Sequence, residues 1–214
     1  MAKGFMSAIR ERVAASADGT IFASSDFADL ADSNTVRQCL FRLVKDGTLR
    51  RILRGIYEKP NYCRMLEEFI APSADDIAKA LARNYHWTIA PSGVAALNLL
   101  GLSTQVPAVW SYVSDGPYRT YVWTPLIKLK FKHRTNREVT GLSYTTVMVV
   151  QALKTLGKSG ITPEVIRRLS HRLSDVEKRI CLQEAKEATD WVYDAIRKVC
   201  GAGGISWDPA ALFK

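Results

Sequence analysis

The chain has 214 residues, 47% hydrophobic and 24% charged, with a formal net charge of +9 and a pI near 9.5. That is enough for one large or two small domains with cores of their own. No apolar run approaches the roughly 20 residues that span a bilayer, and no hydrophobic leader opens the sequence, so a soluble cytoplasmic protein without a membrane partner is expected. The basic excess favours a polyanionic partner.

In chain order, residues 2–17 read as a helix with Phe5, Ile9 and Val13 on one face and Gly19 past its end. Thr20, Ile21 and Phe22 form a short extended piece. Ser24 or Ser25 is expected to cap a second short helix that points Phe27 and Leu30 inward. Ser33 then opens a third helix in which Val36, Leu40, Leu43 and Val44 recur at helical spacing. Asp46-Gly47 stops it, and 48–52 and 56–57 read as a hairpin turning at Leu53-Arg54-Gly55. The piece at 20–22 is expected to join that hairpin as a third strand. Helix, strand, helix, turn, helix and hairpin within about sixty residues is the pattern of a winged helix-turn-helix.

Beyond a break at Lys59-Pro60-Asn61, residues 62–72 read as a connector packing through Tyr62, Met65, Leu66 and Phe69. Ser73 caps a helix carrying Ile77, Ala80, Leu81 and Tyr85. Residues 87–89 read as a strand, and Pro91-Ser92 as the start of a helix closed by Gly101. From 109 to 133 the period changes to two, giving three strands in which Ile127, Leu129 and Phe131 alternate with Lys128, Lys130 and Lys132. The rest is helical: 144–156, a helix started by Thr162-Pro163, and a long one capped by Ser174 with Glu177 and striped by Cys181, Ala185, Ala188, Val192, Ile196 and Val199. Trp207 and Phe213 are expected to dock the tail. The fold expected is α+β: a winged helix-turn-helix at 1–60, then a mixed α/β domain at 61–214 with a small antiparallel sheet and C-terminal helices.

The helix opened by Ser33 carries Asn34, Thr35, Arg37, Gln38, Arg42 and Lys45 on its polar arc, side-chain types that read base edges and grip phosphates. Arg50, Arg51 and Arg54 fall on the hairpin, where arginines reach phosphates or the minor groove. From Arg37 to Lys59 seven bases face only Asp46 and Glu58, a local charge of +5. The plain alternative is a solvated helix face with Arg42 paired to Asp46 one turn on. A second basic surface is expected at Arg119, Lys128, Lys130, Lys132 and Arg134, with His133 and Arg137 beside it. Its plain alternative is lysine protecting a sheet edge.

No catalytic constellation emerges. Ser92 lacks the flanking glycines of a nucleophile elbow, and His86, His133 and His171 stand apart. The cysteines Cys39, Cys63, Cys181 and Cys200 show no metal-ligand spacing and fit a reducing compartment. A non-enzyme with no cofactor and no metal is expected.

The run V-x-x-x-L-x-R-L-V-x-x-G-x-L-x-R-I-x-R-G-x-Y from Val36 to Tyr57, the APSG segment at 90–93, NLLGLSTQVP at 98–107 and SDGP at 114–117 resemble bacterial proteins of the AbiEi-type antitoxin group. The similarity extends to about Gly160. It implies an N-terminal DNA-binding winged helix and a C-terminal antitoxin domain. It further implies an autorepressor of a type IV-like toxin-antitoxin pair, which opposes a nucleotidyltransferase-like toxin without necessarily binding it stably. The expected ligand is double-stranded DNA of the chain's own promoter, held by two copies on an inverted repeat. The competing expectation is an interaction protein that neutralises a toxin or other partner by direct contact through its C-terminal domain, with DNA binding secondary.

Overall fold

The computed structural model describes residues 2–134 and 141–202. The chain is mixed α/β, with an α+β region at its N-terminal end and helices at its C-terminal end. It divides into two compact units, Met1–Trp87 and Thr88–Lys214.

In the first unit α1 (Ala2–Ala15) buries Ile9 and Val13. β1 (Ile21–Ala23) leads into a single 3-10 turn, Ser24–Phe27, where a capped α-helix was expected. Asp26 takes the capping role, its carboxylate accepting from Ala23 N–H at 2.8 Å. α2 (Ser33–Lys45) is capped one residue earlier than expected. Asp32 Oδ1 accepts from the N–H groups of Asn34 and Thr35 at 2.9 and 3.1 Å, satisfying two of the four donors a helix start leaves orphaned. β2 (Arg50–Leu53) and β3 (Ile56–Glu58) form the hairpin, turning through Gly55 at φ +78°, where a side chain would be strained. β1 pairs antiparallel with β3, so the sheet runs β1-β3-β2, as the sequence led us to expect. Its core joins Ile9, Val13, Phe22, Phe27, Val36, Leu40, Leu43 and Leu49.

The expected boundary near residue 60 falls instead at 87, because α3 (Ala74–Tyr85) packs back on β1, the 3-10 turn and β3. Arg83 at its C-terminal end donates to both carboxylate oxygens of Asp26 and to Ile21 O, each at 3.0 Å. The connector before it is a small hairpin, β4 (Tyr62–Cys63) with β5 (Glu68–Phe69). Met65 and Leu66, expected to pack, are exposed at its tip, while Tyr62 and Phe69 meet each other edge to face with ring centroids 5.2 Å apart.

The second unit holds a four-stranded sheet of β6 (Ile89–Ser92), β7 (Val109–Ser114), β8 (Arg119–Val122) and β9 (Lys128–His133), in the order β6-β7-β9-β8. The expected antiparallel sheet is therefore corrected to a mixed one, since β7 and β9 run parallel. β9 joins the two directions, parallel to β7 and antiparallel to β8. As a central strand it places Leu129 beside Trp110 and Tyr121, and Phe131 beside Tyr112 in a stack with centroids 5.5 Å apart. Pro91, expected to open a helix, lies in β6 at the sheet edge, where a missing N–H is tolerated. Gly93 at φ +61° turns the chain into α4 (Val94–Leu99), so Ser92 is not a side-chain cap.

α5 (Tyr144–Leu156) packs on β6, with Val147 against Ala90 and Val113. α6 (Pro163–Arg172) follows Thr162, and α7 (Asp175–Glu184) has the reciprocal Ser174–Glu177 cap. The long final helix expected from the sequence is broken: a 3-10 turn at Ala185–Glu187 precedes α8 (Asp190–Ala202). Thr189-Asp190 is a start signal that interrupts it. The apolar stripe nonetheless stays inside, with Cys181, Ala185, Val192, Ile196 and Val199 buried. Arg137, Trp207 and Phe213 lie outside the described residues. Among the described residues no helix is long and apolar enough to cross a membrane.

Candidate nucleic-acid interface

One face of α2 is buried through Val36, Cys39, Leu40 and Leu43, which turns the opposite arc to solvent. Asn34, Arg37, Gln38, Phe41, Arg42 and Lys45 are all exposed on it. A groove of about 1030 Å³ runs between this arc and the hairpin, lined by Arg37, Gln38, Phe41 and Arg42 on one side and by Arg51 and Arg54 on the other. A concave surface with four guanidinium groups is suited to a polyanion.

The side chains of Gln38, Arg42, Lys45 and Arg54 have no hydrogen-bond or ion-pair partner among the described residues. The expected alternative for Arg42, a pair with Asp46, does not form. Asp46 is taken by Thr48 Oγ1 and by Arg10 Nη2, each at 2.6 Å, and these bonds hold its carboxyl at a pKa of about 2, Thr48 contributing most. Arg37 donates only to Asn34 Oδ1 at 2.9 Å, and Arg51 Nε reaches Leu53 O at 3.5 Å, a weak contact.

Two expected contact residues are otherwise engaged. Thr35 Oγ1 donates to Asp32 Oδ2 at 2.6 Å, so it belongs to the helix cap, and that bond is the main cause of the depressed Asp32 pKa. Arg50 donates from Nε and Nη2 to Glu58 Oε2 at 3.1 and 2.6 Å, and its guanidinium lies 5.0 Å from the centre of the Phe69 ring. Glu58 is completely buried, which fixes Arg50 as its counter-charge. Lys59 is similarly occupied, by Asp18 and by the Ala14 and Ser16 carbonyls.

The local charge therefore divides. Both acids between Arg37 and Lys59 are neutralised, by Arg10 and Arg50, and five bases face no acidic partner: Arg37, Arg42, Lys45, Arg51 and Arg54. Sequence reading missed Phe41, an apolar residue on the solvent arc one turn from Arg37. Its signal was its misfit with the stripe made by Val36, Leu40 and Leu43.

The second basic surface is reduced. Lys128 and Lys130 are exposed on β9 and Lys132 is half-buried. β9 is a central strand, so edge protection does not account for the row. Thr120 and Ser111 flank Lys130, while Val122 and Val109 flank Lys128. Arg119 is in register with Phe131 and so belongs to the opposite face of the sheet. Arg134 follows the strand, its backbone N–H donating to Ser114 O at 2.8 Å. The five residues expected to form this surface do not share one face. Among the described residues no group of three His, Cys, Asp or Glu side chains is placed to hold a metal ion.

The first unit thus carries a short helix and a hairpin that share a basic groove. The chain belongs to the family of unknown function DUF6088, whose model matches residues 8–180 and so takes in both the groove and the four-stranded sheet. No curated protein matches the sequence.

Proposed function

We propose that the first unit acts as a winged helix-turn-helix that binds double-stranded DNA, with α2 in the major groove and the β2–β3 hairpin along the backbone. In this reading the protein is a cytoplasmic autorepressor, two copies occupying an inverted repeat in its own promoter. The resemblance of the 36–57 and 90–117 motifs to AbiEi-type antitoxins adds the role of antitoxin toward a nucleotidyltransferase-like toxin. The observation that carries DNA binding is the set of four arginines without an acidic partner, Arg37, Arg42, Arg51 and Arg54, that line one groove, with Lys45 exposed on the same helix.

Footprinting on DNA upstream of the protein's own gene, followed by binding measured across a salt series, tests it. Five phosphate contacts at about 0.9 each limit the slope of log K against log salt to about −4.5 per protomer. Arg42→Ala abolishes the footprint, and Arg54→Ala flattens the slope by about 0.9. Indifference to every duplex at low salt defeats the proposal.

A second reading is favoured by one observation, the exposed lysines on a strand that has no edge to protect. Under it the second unit neutralises an acidic protein partner by contact, and DNA binding is secondary. Lys128→Glu with Lys130→Glu then abolishes protection from the toxin while Arg42→Ala preserves it, whereas the first reading is tested by the loss of promoter binding in Arg42→Ala.

A further inference from the structure

Phe41 is 64% exposed at the centre of an arc otherwise made of polar and basic side chains. It is one turn from Arg37 and Gln38, next to Arg42, and one turn before Lys45. These spacings bring all of them to one side of the helix. An aromatic ring held in water on a helix whose core face is already filled has no packing role there. Its surroundings restrict what covers it, because the groove it lines is rimmed by Arg37, Arg42, Arg51 and Arg54. The occupant must be a polyanion that offers an apolar group at the depth of a helix surface.

Duplex DNA meets both demands in one place. Its phosphates line the rims of the major groove, and the apolar group on the groove floor is the C5 methyl of thymine, which a phenyl ring contacts favourably. We propose that Phe41 is a specificity-determining residue that selects thymine by packing on its methyl group, while Gln38 and Arg42 beside it address the hydrogen-bonding edges of neighbouring bases. This rests on the DNA-binding reading above and goes beyond it by assigning one base identity to one side chain.

The test replaces thymine with deoxyuridine, one position at a time, in the footprinted duplex. That exchange removes a methyl group and leaves pairing and charge unchanged. Binding of the full-length protein is followed by fluorescence anisotropy at a fixed salt concentration. One or two positions per half-site should weaken binding about fourfold each, the value of one buried methyl group. In Phe41→Ala, which the exposure of the ring leaves free to fold, the same positions should lose their methyl dependence, while Gln38→Ala should retain it. Methyl dependence that persists undiminished in Phe41→Ala overturns the assignment, as does its absence at every thymine of a duplex the protein binds tightly. Failure to bind any duplex removes the underlying reading and this assignment together, and Phe41 is then left to a protein partner.

Discussion

The pair Arg50–Glu58 separates the fold from the ligand most cleanly. Glu58 lies on the middle strand of the first sheet, between Ile21 and Arg50, with no exposed surface. Both hydrogen bonds from Arg50 fall on Oε2, and Oε1 is buried without a partner. Arg50→Met keeps the stem of the side chain and removes its charge, stranding a buried carboxylate. Removing one member of such a pair costs about 3–5 kcal/mol, because the remaining ion loses both its counter-charge and its access to water. Replacing both, as in Arg50→Met with Glu58→Leu, removes the ion altogether, and exchanges of this kind are roughly neutral or stabilising.

Urea unfolding followed by circular dichroism, with hydrogen exchange at the β3 amides to isolate the first unit, reads both variants. The single variant should lose about 3–5 kcal/mol at pH 7, and the double variant should recover most of it. A loss under about 1 kcal/mol in the single variant, or a double variant as weak as the single, refutes the view that Arg50 is held for Glu58.

Other outcomes follow from the same geometry. Asp32→Ala should lower the melting temperature by removing the α2 cap, and Asp32→Asn should restore most of the loss in thermal unfolding. The Asp46 carboxyl should titrate near 2 by NMR. Its folded pKa lies below the unfolded value, so its stabilising contribution is present above about pH 4 and is lost as pH falls through about 2; Asp46→Asn should remove that part of the acid dependence. Among the thiols, Cys63 should be alkylated first in the native protein. Cys181 and Cys200 are buried, and burial raises both pKa values, that of Cys200 to about 11, so they should react only on unfolding. Alkylation of Cys200 at a rate equal to that of Cys63 at neutral pH would contradict this packing.

Period and punctuation carried much of the first unit into view from the sequence. The stripe through Val36, Leu40 and Leu43 and the stop at Asp46-Gly47 located α2, and the reversal at Leu53-Arg54-Gly55 located the hairpin of β2 and β3. Asp32 was not recognised as the cap because Ser33, equally suited by type, stands next to it. The boundary at 87 reflects the long-range packing of α3 on β1 and β3, with Arg83 reaching Asp26 57 residues earlier, which no local pattern encodes. The order of the second sheet was hidden for a related reason. Alternation shows which face of a strand is apolar, whereas the neighbours of β9 follow from matching Trp110 and Tyr112 to Leu129 and Phe131 across it.

The candidate site shows the same division at finer scale. Charge type was legible at every basic residue of the 37–59 segment, but which charges are free was not, because that depends on partners brought from elsewhere in the fold. Arg10 comes from α1 to take Asp46, which releases Arg42, and Glu58 is carried inside by the pairing of β3 with β1, which retains Arg50. A nominal +5 is thus kept in magnitude while its location moves, away from Arg50 that faces Glu58 and onto α2, Arg51 and the turn at Arg54. Charge placed there can leave for phosphates without stranding an ion inside the protein. Under the proposed DNA-binding function, binding and stability would fall to different arginines of one short hairpin: Arg54→Ala should alter the salt dependence of DNA binding with little effect on unfolding, and Arg50→Met the reverse.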